Sequence, residues 1–332
     1  MRAGAGLVIL MGLSGCMGTT ATPSPHAPVS QESSAQIAVV TEDIDRFWEA
    51  YDAVRQTDDG VQQSRLFQTL YIDRGTPGLH AFMEAKGYSA QTYVDAIRAY
   101  PKYWDSVRPK TRNVTASLGR VTSYLDRFKQ LYPNLKSANI YFEVGALRSA
   151  GTTLDDKVLI GVEMAMGDPT VDISEMPQGL QRFFTGYFAS KPAENLDLLI
   201  VHEAVHTQER GDRKNLLSQA IYEGVADFVA EQITGRVPDL PYITYGPAND
   251  TRIKAAFVRD MHKNDYGDWL YNGTDNVFGV RDLGYYVGYA ICARYYARSG
   301  DKTRALREMI ELDFADPLAV EAFANRSGYF AS

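Results

Sequence analysis

The chain has 332 residues and a formal net charge of −7, with 45% hydrophobic and 23% charged residues, enough apolar sequence for a sizeable core. The acidic balance excludes the basic footprint of a nucleic-acid binder. Two cysteines, Cys16 and Cys292, are too few for a secreted disulfide scaffold, and their surroundings differ.

Residues 1–16 read as an export signal: Arg2 supplies the positive start, and Leu7 to Met11 form an apolar run too short to span a bilayer. The signal ends in Leu13-Ser14-Gly15-Cys16, which resembles the bacterial lipobox. The resemblance implies that Cys16 is lipidated, becomes the new N-terminus and anchors the chain in the cell envelope. Met17 stands where an aspartate often retains such proteins at the inner membrane, so the expected place is the outer membrane, facing the periplasm. Residues 17–40, rich in Thr, Ser, Pro and Ala, are expected to form a flexible tether.

From 41 to 135 the apolar residues recur at helical spacing, as in Ile44, Phe47, Trp48 and Tyr51. The pattern then changes. Residues 138–144 and 158–166 read as strands, with a turn at 149–153 between them, and predict a small antiparallel sheet. Helices are expected at 192–209 and at 216–234, the second stopped by Gly235. The prolines of 236–250 suggest a long loop, and further helices follow at 251–263, 280–298, 302–313 and 317–325. Cys292 falls within a helical apolar pattern and reads as a packing residue. The expected fold class is therefore α+β, predominantly helical, with an N-terminal helical region (41–135) and a second region from 136 to 332.

The chemistry is concentrated in His202-Glu203-Ala204-Val205-His206. Histidines four apart on a helix lie about 40° apart on one face, so both imidazoles can reach one ion. Glu203, rotated by about 100° from His202, sits beside such an ion and can take a proton from water on it. Only five histidines occur in the chain, which makes this placement on an apolar helix specific. A catalytic zinc wants a third protein ligand and an open fourth position. Glu223, Asp227 and Asp212 are the candidates. Glu223 and Asp227 share a helical face, whereas Asp212 echoes zinc proteases that place a ligand after a glycine turn, with Glu209 here in that glycine's place.

These residues resemble the gluzincin branch of zinc peptidases. The resemblance implies a zincin-like core in 136–332, zinc held by His202, His206 and Glu223, and Asp227 supporting a ligand histidine. A closer likeness is to the predicted zinc-dependent protease lipoproteins related to gliding-motility B proteins. It rests on the helical region from Tyr71 to Leu79, the strand pair around Gly151 and Thr152, the segment Tyr222 to Asp227, and the tyrosine-glycine segments 284–289 and 327–329. In gluzincins an edge strand pairs with extended peptide, a role that Val158 to Met166 would take, and a Tyr or His donor faces the developing oxyanion. Tyr285 and Tyr289 are the candidate donors, with His262 behind them; helix packing is the other reading of the two tyrosines.

The expectation is a zinc metallopeptidase acting on a peptide or protein. Two alternatives stand beside it: a non-enzymatic envelope lipoprotein, in assembly or motility, that keeps a zinc site, and a zinc amidase acting on cell-wall peptides.

Overall fold

The computed structural model describes residues 37–114, 118–237 and 239–331; the export signal, Cys16 and most of the expected tether lie outside them. Helices at Glu42–Val54 (α1), Gly60–Phe67 (α2), Pro77–Lys86 (α3), Ala90–Ala99 (α4), Pro101–Thr111 (α5) and Leu118–Leu131 (α6) make up the N-terminal region. Their ends follow local chemistry. Asp59 caps α2 through the amides of Val61 and Gln62, Ser89 and Thr92 close a capping box on α4, and Gly87 ends α3 at φ 64°. Their apolar faces meet in an aromatic core. Phe47 packs edge-on against Trp48 at 5.0 Å, and Phe67 stacks on Tyr93 at 4.8 Å.

The sheet is mixed rather than antiparallel. Its strands are Val39–Val40 (β1), Asn139–Glu143 (β2), Gly151–Leu154 (β3) and Lys157–Gly161 (β4), in the order β1-β2-β4-β3. Three expectations are corrected here. The last residues of the expected tether are β1, paired parallel with Ile140 and Tyr141. The two predicted strands are neighbours but run parallel, because residues 151–153 of the expected turn belong to β3 and the reversal comes after that strand, at Asp155-Asp156, where Asp155 adopts φ 52°. The second predicted strand stops at Gly161 and continues as the short helix Val162–Ala165 (α7). The buried Glu163 carboxyl causes this turn, accepting the amides of Gly145 at 2.8 Å and Leu147 at 3.2 Å. The interior strands are therefore β2 and β4, and β3, not the expected segment from Val158, is the edge strand that follows β2 in the chain.

Gln178–Ala189 (α8), which has no counterpart in the predicted elements, precedes Leu196–His206 (α9) and Leu216–Thr234 (α10). The expected helix from 192 opens as a 3-10 turn, Pro192–Asn195, before α9 begins. The bounds of α10 are those expected, because Asn215 caps it in a box with Ser218 and Gly235 ends it at φ 69°. The predicted loop 236–250 is mostly helix: Pro241–Asp260 (α11) starts with proline in its first turn and carries Pro247 inside. Gly246 permits that helix to lie against Tyr286; an added methyl would come 2.1 Å from the ring. Leu283–Arg298 (α12), Lys302–Ile310 (α13) and Pro317–Ser327 (α14) complete the chain. Cys292 is fully buried in α12. Among the described residues no helix is long and apolar enough to cross a membrane.

One hydrophobic cluster contains residues from Ile44 to Tyr329, so the N-terminal helices and the region after 136 share a core. The tightest approach in it is between α10 and α12. A methyl group on Gly288 would lie 1.8 Å from the Ala220 carbonyl oxygen, and one on Gly224 would lie 2.0 Å from the Gly288 carbonyl carbon. Gly288→Ala is expected to cost about 3 kcal/mol in chemical denaturation, since neither backbone can yield without moving a helix.

One buried group strains this core. Glu143 has no exposed surface, and neither carboxyl oxygen has a partner. Burial, with Asp43 and Glu163 nearby, pushes its carboxyl well above the usual range. Above about pH 4.5 the unfolded chain ionises this group while the folded chain keeps its proton, so stability falls as pH rises by up to about 1.4 kcal/mol per unit. Glu143→Gln is expected to remove that fall, so its stability relative to the parent rises between pH 5 and pH 8 in urea titrations.

Candidate metal centre

α9 is apolar on nearly every side, with Leu196, Ile200, Val201, Ala204 and Val205 buried. Asp197 fixes its start: this buried carboxylate takes Arg120 of α6 and Arg236 beyond α10, each at 2.8 Å. Position is thereby set for the one polar face of the helix, which carries His202 and His206 toward Glu223 of α10.

His202 Nε2 lies 3.1 Å from His206 Nε2, and Glu223 Oε2 lies 3.2 Å from His206 Nε2 and 3.5 Å from His202 Nε2. Two donors around a tetrahedral ion with bonds of 2.0–2.1 Å are separated by about 3.3 Å. The three atoms thus already stand at the spacing that a small divalent cation requires, and among the described residues this group has three members.

Both far ring nitrogens are taken by carboxylates. His202 Nδ1 meets Asp227 Oδ1 at 2.9 Å, and His206 Nδ1 meets Glu209 Oε2 at 2.5 Å. Each carboxylate holds a proton on Nδ1, so Nε2 is the nitrogen that would offer its lone pair to a metal on losing its own proton. Tyr242 donates to the other Asp227 oxygen at 2.8 Å, and the His206 ring stacks on Tyr222 at 4.1 Å. Asp227 therefore holds the far side of the His202 ring and lies outside the three-residue group. Asp212 lies outside the group, largely exposed and 3.4 Å from Lys214. Glu209 occupies a position where a glycine would suit a ligand turn, but its carboxylate orients His206.

Glu203 lies on the neighbouring face of α9. No protein group hydrogen-bonds its carboxyl among the described residues, and it rests against the edge strand: a methyl on Gly151 would come 2.9 Å from its Oε1. Burial raises this carboxyl, against the pull of His202 and His206. Lys86, from the last turn of α3, belongs to the same electrostatic neighbourhood. Burial lowers its ammonium, and Glu203 and Glu223 oppose that.

The two predicted donors separate. The Tyr285 ring lies 6.5 Å from the His202 ring and 5.3 Å from that of Tyr242, and burial holds its hydroxyl well above the usual range, so it stays protonated. Tyr289 is not brought to the group. Its hydroxyl bonds Glu231 and its ring packs on Phe228. His262 is exposed just beyond α11. Sequence reasoning missed Glu209, Gln219, Tyr242 and Tyr271. Glu209 and Gln219 stood within one turn of a ligand and were legible by helical spacing. Tyr242 and Tyr271 reach the site only through tertiary folding. Comparison with protein-family models, with curated proteins and with solved structures gave no match.

Burial opposes charge on His206, but Glu209 and Glu223 outweigh it and push the imidazole up to about 9. Asp227 and Glu223 likewise overcome burial at His202 and hold it well above its usual value. At pH 7 the metal-free histidines therefore carry protons that a ligand must lose. Metal uptake is expected to release protons at pH 7, seen as a dependence of the binding heat on the buffer's ionisation enthalpy. Affinity should rise from pH 6 toward about 9, by roughly tenfold per unit for each proton released. His206→Ala and Glu223→Ala should each abolish stoichiometric uptake.

Proposed function

We propose that this chain is a zinc-dependent peptidase with a gluzincin-like ligand set: His202, His206 and Glu223 hold the ion, with Asp227 and Glu209 orienting the imidazoles. The observation that carries the reading is the convergence of three donor atoms at tetrahedral spacing with an unliganded glutamate beside them. A structural zinc site usually has four protein ligands, and a catalytic one keeps a position open. Two nitrogens and one carboxylate oxygen suit zinc among common divalent ions.

Zinc in such a site supplies Lewis acidity and makes water a competent nucleophile near neutral pH. The residues of the chain supply the rest. Glu203, free of other partners and with its carboxyl raised by burial, accepts the proton from water and passes it to the leaving amine nitrogen. The Tyr285 hydroxyl, held protonated, donates to the oxygen on which negative charge develops. Substrate lies along β3 rather than β4. The Gly161 amide donates to the Ala150 carbonyl, so by alternation Gly151 and Thr153 turn their backbone groups away from β4. Ser149 already donates to the Gly151 carbonyl, leaving the Gly151 amide and both Thr153 groups for an extended peptide. A strand docked there runs past Glu203, because Gly151 and Glu203 are in contact. The lipidated Cys16 would hold this body at the bacterial outer membrane, within reach of periplasmic peptides and proteins.

Glu203→Gln should keep one zinc per chain yet lose about 10²- to 10⁴-fold in turnover of a peptide library. Unchanged turnover in that variant would sink the mechanism. Cleavage of cell-wall fragments with no cleavage of peptides would reassign the substrate to the amidase class.

A further inference from the structure

Glu223 offers two oxygens, and the structure treats them unequally. Oε2 faces the two imidazoles. Oε1 faces away and accepts two hydrogen bonds, from the Tyr271 hydroxyl at 2.6 Å and from Gln219 Nε2 at 3.1 Å. Gln219 Nε2 also donates to the Tyr271 oxygen at 2.8 Å, so the three side chains close a ring. The amide is held in this orientation from its other end, where Gln219 Oε1 accepts from Arg213 Nε at 3.2 Å. That guanidinium lies 4.3 Å over the ring of Tyr222, which stacks on His206.

Tyr271 reaches Oε1 at a conformational cost. Its backbone is left-handed, with φ 57°, a region that bulky residues avoid. The neighbouring residues hold it there. Trp269 and Leu270 are buried in the core, the Trp269 carbonyl accepts the Gly284 amide at 2.8 Å, and Asn272 Oδ1 accepts the Asp282 amide at 2.8 Å. The residue itself is 61% exposed while its hydroxyl points inward, so its posture rests on the bonds with Glu223 and Gln219 and on an edge contact with the Tyr285 ring at 6.3 Å.

We infer that Tyr271 and Gln219 are positioning residues that restrict Glu223 to binding the metal through Oε2 alone, and thereby keep the fourth coordination position open. The inference rests on the zinc reading above. A carboxylate free to rotate can bind with both oxygens, which makes the ion five-coordinate with its water and crowds the position that water or a peptide carbonyl needs. With two donors on Oε1, that rotation must break two hydrogen bonds, one of them from a charged-acceptor pair of short length.

Cobalt(II) replaces zinc in such sites and reports coordination number in its visible spectrum: four-coordinate ions absorb strongly and five-coordinate ions weakly. The full chain loaded with cobalt(II) should show the strong spectrum. Tyr271→Phe, which removes only the hydroxyl, and Gln219→Met should both lose most of that intensity, and both should bind zinc about 10- to 100-fold more weakly in chelator competition. Tyr271→Phe keeps the ring and its packing, so a packing role alone would leave both the cobalt spectrum and the zinc affinity at parent values. Parent-like spectra and affinities in both variants overturn this inference and leave the zinc reading standing. A parent chain that takes up no cobalt and no zinc overturns both.

Discussion

Two helix faces must be held at one separation if His202, His206 and Glu223 are to share an ion, and side chains alone cannot enforce that. The backbone contact between α10 and α12 fixes the place of the face that carries Glu223. Gly224 follows Glu223 directly, and it touches Gly288 where no side chain would fit. α12 therefore clamps α10 at the turn that bears the third ligand, while Asp197 pins the start of α9 through arginines from two other elements. The same helix brings the Tyr285 ring, one turn before Gly288, to 6.5 Å from that of His202.

Charge is the second constraint. Glu203, Glu209, Glu223 and Asp227 crowd around two imidazoles in buried surroundings. With the histidines neutral, this concentration of negative charge would be costly unless a cation met it. Protons on the imidazoles meet it in the metal-free chain, which is why both titrate high and why Glu223 is held well below the usual range despite its burial. A divalent ion meets it with better geometry, since both Nδ1 atoms already have acceptors.

The edge strand joins this charge pattern to a surface. β3 exists because the chain crosses from β2 to the far side of the sheet and returns through the Asp155-Asp156 turn. That path leaves β4 buried in the middle and puts β3, with a glycine at its start, against Glu203. A side chain at residue 151 would push the strand off the helix and away from Glu203.

Much of this was written in local spacing. The histidines one turn apart, the shared face of Glu223 and Asp227, and the capped helix from 216 to 234 depend only on residues within a few positions of each other, and local rules act at that range. Gly288 as a point of close helix approach was legible for the same reason, since a glycine in a helix signals a near neighbour. Strand direction was not, because 139–143 and 157–161 carry the same apolar pattern whether they run parallel or antiparallel, and only the position of the reversal decides. Nor was the helix at 241–260, where packing of Gly246 on Tyr286 outweighs an internal proline. Tyr242 and Tyr271 lie 15 and 48 residues from the carboxylates that they bind. Contacts at that distance are set by how whole elements pack, so the donors and bases of the site belonged to the sequence, and the hydrogen bonds that orient them belonged to the tertiary structure.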